Sequence, residues 1–487
     1  MHTLFAAFLS IPRRASLRPD TGREQVSRTD CRGLDITAAN AAAVAGFDRT
    51  IGAYLGLRAD TGDHLKVTLE ADPGFVMAHV LRGYFMLLFA SRRLLGRALA
   101  SLDAARKAAG EGGCNRREEM HIAALESWSS GDQNRALALW DRILTEWPRD
   151  VLALKLSEYW NFYLGDCRGM REVQARVAPC WDESVPDYGK VLGMSAFALE
   201  ECGAYEEAER RGRRAVEIDG ADLWGTHAVA HVMEMTGRPE EGIGWIDERG
   251  EDFAGCNAVV NHLWWHRALF HFELGRFDAV LDLYDREVLP ADVFEYLDIC
   301  NTVSILWRLE EEGVDVGDRW ERVADAAAER AEDLQLVFAD AHYAMAFAAA
   351  GRGGALDALI AAAEAFAEDA EQTQSGVMAA QGLALCRAAA AAKAEDWQGA
   401  VDLLYPRRRG IRAVGGSHAQ RDLFQRSLIH AAERAGRERL ACSLLAERCE
   451  EKPNSPIALR RYARVLAALG DGAAATAAER AAASLVQ

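Results

Sequence analysis

An all-α solenoid, built from paired helices that stack one upon the next, is the fold class this sequence predicts. Three observations carry the expectation. Apolar residues recur at three- and four-residue spacing along nearly the whole chain, and no alternating strand pattern persists. Ala and Leu dominate, with only 11 prolines in 487 residues. Short breaks such as Gly237-Arg238, Gly275-Arg276 and Gly351-Arg352 separate paired helical stretches, the mark of a repeat array.

Taken in order, residues 1–30 read as an extension outside the fold, disordered or preceding the true start. Its short apolar segment has arginines after it, where a secretory signal needs them before. Residues 31–487 read as one array. Thr37 is the expected N-cap of a helix to Leu57, and Asp72-Pro73-Gly74 precedes a pair, Phe75–Ala90 with Leu95–Ala109. Arg116–Arg149 is the clearest single unit. It is 34 residues long, with Ala124, Gly131, Ala136 and Pro148 where a tetratricopeptide unit takes small residues, a turn and a stop.

Pairs then follow at Val151–Val177 and Tyr188–Asp219, and next come two histidine-bearing units. Beyond them Phe294–Glu311 pairs with Arg319–Glu332, Leu334–Ala350 with Leu356–Ala367, and Val377–Ala394 with Trp397–Leu404. After an arginine-rich loop, His418–Ala435 pairs with Glu438–Cys449 and Ser455–Leu469 with Ala473–Val486. About ten stacked pairs make a superhelix that is expected to curl.

Composition narrows the function classes. A net charge of −18 argues against nucleic acid and anionic membranes as partners, since both need a positive field. No apolar run is long enough to span a bilayer. Ten scattered cysteines, with neither a C-x-x-C pair nor metal-type spacing, fit reduced and mostly buried thiols in a cytoplasmic protein.

The chain's chemistry concentrates in Asp222–Arg286, where five of twelve histidines lie among Trp224, Trp245, Trp264 and Trp265. The segments HAVAHVMEM, NHLWWHRALFHFELGR, SILWRLE, DAHYAM and GGSHAQRD, in that order, resemble the tetratricopeptide-repeat protein 38 family from about Arg32 onward. The resemblance implies a cytosolic, all-helical repeat protein and no particular reaction.

Aligned on the turn glycines Gly237 and Gly275, His227, His231, His262 and His266 fall on the first helix of adjacent pairs. In tetratricopeptide arrays that helix faces the concave surface and grips ligands. His342 stands as far ahead of Gly351 as His266 does ahead of Gly275.

Three readings of the set stay open. The histidines could pack with the tryptophans and nearby carboxylates as a polar core. They could line a pocket, donating hydrogen bonds to an anion while the tryptophans flank an acyl or aromatic part. Or His227/His231 and His262/His266, each an i,i+4 pair, with Glu234 continuing the first face, could hold zinc or iron. The glutamate that would follow the first histidine of a metalloprotease helix is missing. No cofactor is fixed; a divalent metal is the one the spacing admits. A general acid or base could come from a histidine paired with Asp298, Asp340 or Glu234.

Four arginines, Arg407, Arg408, Arg409 and Arg412, precede Ser417, the expected N-cap of a helix that starts at His418. Arginines beside free helix N–H groups suggest an anion site, or a lid over the histidines, with His418, Gln420 and Arg421 favoured for a role. The competing reading is a solvated loop whose arginines pair with the protein's surplus carboxylates. The expected groove comprises His227, His231, Glu234, His262, Trp265, His266, Asp340, His342, His418 and Arg421. It would take a peptide, a protein partner or a small anionic or aromatic molecule. The competing function is an enzyme, metal-dependent or using histidine acid/base chemistry, that encloses its substrate in the superhelix.

Overall fold

The structure, a computed structural model, describes residues 26–289 and 295–485. Most of the extension expected at 1–30, the helix start expected at Phe294 and the helix end expected at Val486 lie outside the described residues.

Helices follow one another in antiparallel pairs. After α1 (Ala41–Leu55) and α2 (Thr61–Ala71) come α3 (Val76–Leu88), α4 (Arg92–Gly112), α5 (Arg116–Ser129), α6 (Gln133–Glu146), α7 (Val151–Tyr163) and α8 (Cys167–Val177). The middle of the array is α9 (Tyr188–Glu200), α10 (Tyr205–Ile218), α11 (Leu223–Met235), α12 (Pro239–Asp247), α13 (Val259–Glu273) and α14 (Phe277–Leu283). Then come α15 (Tyr296–Glu311), α16 (Arg319–Ala328), α17 (Val337–Ala349), α18 (Gly353–Ala367), the short α19 (Thr373–Val377), α20 (Leu383–Lys393) and α21 (Trp397–Leu404). The last four are α22 (His418–Arg434), α23 (Glu438–Glu451), α24 (Pro456–Ala468) and α25 (Gly472–Ser484). The fold is an all-α solenoid. No helix among the described residues is long and apolar enough to cross a membrane.

Local chemistry explains the punctuation. The side chains of Asp132, Asp150, Asp166, Asp396 and Asp471 cap the helices that follow them, and Pro239 and Pro456 occupy first-turn positions where no N–H is needed. First helices of the pairs are apolar nearly all round, because both faces are covered.

Two expectations need correction at the N-terminal end. Val26–Thr29 (β1) pairs antiparallel with Asp35–Ala38 (β2), so ordered structure begins before residue 31 and is not wholly helical. The hairpin is too short to register as an alternating pattern, and Arg28 clamps it by donating from Nε to Ala38 O at 3.1 Å. Thr37 therefore lies in a strand, and Asn40 caps α1 instead, accepting from Ala43 N at 2.8 Å. Toward the other end, a π-helical turn at Met378–Gly382 interrupts the helix expected over Val377–Ala394.

The array coils back on itself. Arg92 N donates to Asp333 Oδ1 at 2.7 Å, and Thr373 N to Gly131 O at 2.9 Å. Backbone around Arg412 lies against Gly165, and Asn454 Nδ2 donates to Thr236 O at 3.0 Å. In each contact a turn of the early pairs meets an element more than 200 residues later, and the order is the same in both segments. The second superhelical turn thus rests on the first. Two turn glycines show why the contact is close. Gly165 (φ +67°) and Gly237 (φ +69°) take left-handed backbone, and a Cβ at either would run into Arg412 or Asn454.

Candidate functional site

α11 and α13 are first helices of adjacent pairs, so their i,i+4 histidines share one facing surface. His227, His231, His262 and His266 converge there. One nitrogen from each lies within 4.8 Å of the others. Ring centroids of His231 and His266 are 4.3 Å apart, and those of His227 and His231 4.5 Å. The Nε2 atoms of His227 and His231 approach to 3.0 Å. All four side chains are buried.

Each ring except His227 has a polar group behind it. His266 Nδ1 meets Glu234 Oε2 at 3.1 Å, and His262 Nδ1 meets Asn301 Oδ1 at 2.9 Å. His231 Nδ1 faces Glu200 Oε2 at 3.6 Å, beyond hydrogen-bond reach. Trp265 lies flat on His262, with centroids 4.9 Å apart and planes at 15°, and is itself fixed by donating to Ser304 Oγ at 3.1 Å. Glu234 also pairs with Lys452 at 3.5 Å, from the second superhelical turn. Burial keeps the rings neutral. It lowers His227, His231 and His266 well below the ordinary histidine value and pushes His262 down to about 4. Burial likewise raises the Glu200 carboxyl well above the carboxylate range, with Glu201 adding to the effect.

Beside the cluster is a cavity of about 270 Å³ inside the coil, with His227, His231 and His262 in its wall. Its walls come from the first helices α1, α3, α7, α9, α11, α13 and α15 and from the turns at residues 57–61 and 257–258. Ser417 and Gln420 at the start of α22 line it from the second turn. The walls are mainly apolar, with the aromatic rings of Phe85, Phe162, Phe197 and Trp224 prominent. Polar groups stand at intervals. Tyr163 OH donates to Tyr296 OH at 3.0 Å, with Tyr159 OH 3.5 Å from the latter. Lys155 Nζ pairs with Glu158 Oε2 at 2.8 Å and lies 3.8 Å from the centroid of the Trp224 ring. Burial lifts Glu295 to about 7 and Asp298 to about 6, so both carboxyls exchange protons near neutrality.

Other residues expected in the groove are placed elsewhere. His342 on α17 is buried between Phe338 and Phe424 and donates from Nδ1 to Phe338 O at 2.7 Å. Its helix is separated from α13 by the α15–α16 pair, so a matching repeat position does not bring it to the cluster. Asp340 is buried on the same helix, near Cys386, and meets no histidine. Asp298 does line the cavity, but it accepts from Asn261 Nδ2 at 3.2 Å and not from a histidine. Trp265 backs the cluster without reaching the cavity. Cys256 is half-buried, and Cys300 and Cys386 are the fully buried thiols among the ten free cysteines.

Ser417 does cap α22, through a capping box with Gln420. The free N–H groups expected there are not free, however. His418 N donates to Glu201 Oε1 at 3.0 Å, and Arg421 Nη2 to Glu201 Oε2 at 3.2 Å. The anion at this helix start is the protein's own. Arg407 and Arg408 donate to the backbone oxygens Leu403 O and Tyr405 O of their own segment, each at 3.1 Å. Sequence reasoning missed Glu200, Asn301, Glu158, Lys155 and Tyr296. The signal available for Glu200 and Asn301 was a carboxyl or amide side chain set in an otherwise small or apolar helical stretch, in SAFALE and ICNTVSI.

No protein-family model matches the chain. Among solved structures, a human IFIT1 dimer with PPP-AAAA is 14% identical over 84% of this chain and 90% of that one, with a TM-score of 0.35. The P58(IPK) TPR domain is 11% identical over 76% and 92%, at 0.22. Naa15/Naa10 bound to HypK-THB is 11% identical over 90% and 68%, at 0.24. At these scores the matches carry no argument, and the fold rests on this chain's own helices.

Proposed function

We propose that this protein binds a small, mostly apolar aromatic molecule inside its coil, in preference to gripping an extended peptide along an open groove. One observation carries this reading: the cavity of about 270 Å³, partly open to solvent, is walled by first helices of the early pairs and flanked by the start of α22 from the second turn. Such a volume lies near the lower end of the range of about 300–1,000 Å³ typical of small-molecule sites. The wall's cations are already engaged, Arg58 with Ala254 O at 2.9 Å and Lys155 with Glu158. A neutral ligand with a hydroxyl or carbonyl for the tyrosine cluster therefore suits the site better than an anion. The landmark segments support kinship with the tetratricopeptide-repeat protein 38 family. Ten free thiols fit a reducing, cytoplasmic setting, and a charge of −18 weighs against nucleic acid as partner.

A second reading, catalysis in the cavity, is favoured by the imidazoles of His227, His231 and His262 in its wall, which could orient a bound molecule by hydrogen bonding. Burial makes all three weak bases, however. The first reading is tested by thermal-shift and native mass spectrometry screens of neutral aromatics, aromatic acids and peptides. These would be run on the wild type and on Leu88→Trp, which fills the cavity from its wall. Binding of a neutral aromatic that Leu88→Trp abolishes is expected. Peptide binding that Leu88→Trp leaves intact would overturn the proposal.

A further inference from the structure

We infer that the four-histidine cluster is a binding site for one divalent transition-metal ion, of the imidazole-preferring kind that includes zinc, with its open side toward the cavity. This stands apart from the identity of the cavity's ligand: a chain that took up metal and no aromatic molecule would still satisfy it.

The first support is convergence. Two imidazole nitrogens on one ion, each at about 2.0–2.1 Å, stand roughly 3.0–3.4 Å apart. His227 Nε2 and His231 Nε2 are 3.0 Å apart, and nitrogens of all four rings fall within 4.8 Å of one another. The second support is orientation. His266 and His262 each use Nδ1 toward an acceptor, Glu234 Oε2 at 3.1 Å and Asn301 Oδ1 at 2.9 Å. An Nδ1–H that donates outward fixes the tautomer and leaves Nε2 with its lone pair. This is how metal-bound histidines are usually held.

The third support is what stays unsatisfied. His266 Nε2, His227 Nδ1 and His231 Nδ1 are buried without a hydrogen-bond partner. So are both oxygens of Glu200, 3.6 Å from His231 at their nearer atom. A packed polar core would have paired these atoms, since each buried orphan costs roughly 1–3 kcal/mol. A dication held by the Nε2 atoms would take up the lone pair of His266 Nε2, leave His231 Nδ1 facing Glu200 as a donor, and favour the ionised form of that carboxyl. Glu234 is partly balanced by Lys452, so Glu200 is the carboxyl with most to gain.

An all-imidazole set suits zinc, copper, nickel or iron and not calcium or magnesium, which take oxygen ligands. His227, His231 and His262 line the cavity, whereas His266 does not. A bound ion would thus be approached from the cavity side.

The test uses the full chain, purified without tag or chelator. Its metal content would be measured, and the protein would then be stripped and titrated with zinc and with cobalt(II) as a spectroscopic probe. One ion per chain is expected, with visible cobalt bands of a nitrogen-ligated ion. His262→Gln should weaken binding at least tenfold, and Glu200→Gln, a positioning change, by about 10–100-fold. Should His262→Gln fold poorly, the wild-type cobalt spectrum decides. Nitrogen-type bands support the site, and bands of the hydrated ion overturn it. Stripped, folded protein that takes up no stoichiometric metal, or binding that His262→Gln leaves unchanged, overturns it equally.

Discussion

The Glu201 carboxylate, just past the end of α9, accepts the backbone N–H of His418 at 3.0 Å from 217 residues further along the chain. Its second oxygen takes Arg421 at 3.2 Å. One side chain therefore satisfies the first turn of α22 and locks the second superhelical turn over the cavity. Glu201→Ala would leave the half-buried His418 amide without its partner and Arg421 with Gly416 O alone. The expected cost is about 1–3 kcal/mol, read as a lower urea midpoint, with faster hydrogen exchange at residues 417–421. An unchanged midpoint would mean that the joint is held by other contacts.

Gly165 makes the neighbouring part of the same joint. Its left-handed backbone costs an L-residue roughly 1–2 kcal/mol, and a Cβ there would also displace Arg412. Gly165→Ala should lower thermal stability by at least that amount and loosen residues 405–416. Gly203→Ala is the control. It shares the left-handed backbone but has no atom within 4 Å of the added Cβ, so it should show the backbone cost alone.

These two joints also show where the sequence stopped being informative. Helix pairs were legible because glycine turns and three-four spacing are local, and α21 was delimited at Trp397–Leu404 as expected. Convergence of His227, His231, His262 and His266 was legible too, because i,i+4 pairs on adjacent first helices must face one another. Closure was not. It rests on single side chains such as Glu201 and Asp333 that bond to backbone more than 200 residues away, with no periodic trace. Arg421 could be singled out from its motif, but its partner could not.

His342 tests how burial couples to pH. Desolvation pushes it from 6.5 down to about 4, so the folded state resists its protonation while the unfolded chain does not. The stability this neutral ring allows is present above about pH 6.5 and is lost as pH falls toward 4, by up to about 3 kcal/mol. His342→Asn can keep a donor to Phe338 O without the titration. The slope of stability against pH between 6.5 and 4.5 should flatten by about one proton. A slope equal to wild type would sink the prediction.

Glu295 runs the opposite way. Burial lifts its carboxyl from 4.5 to about 7, against the lowering pull of Arg330, whose Nη1 is 3.7 Å from Glu295 Oε2. The folded state here holds a proton that the unfolded chain has released, so this group's contribution falls as pH rises from about 4.5 to 7. Glu295→Gln removes the ionisation and should stabilise the protein at pH 8 relative to pH 5, by up to about 3 kcal/mol. Arg330→Gln should do the reverse. Arg330 also donates to Phe89 O at 2.7 Å and to Asp333 Oδ2 at 2.9 Å, bridging the cavity wall to the second superhelical turn. Its loss would weaken that bridge at every pH and move the Glu295 titration above 7, extending the pH-dependent fall into the alkaline range. Urea midpoints for both variants at pH 5 and pH 8 separate the two effects: a uniform drop measures the bridge, and a drop that grows with pH measures the carboxyl.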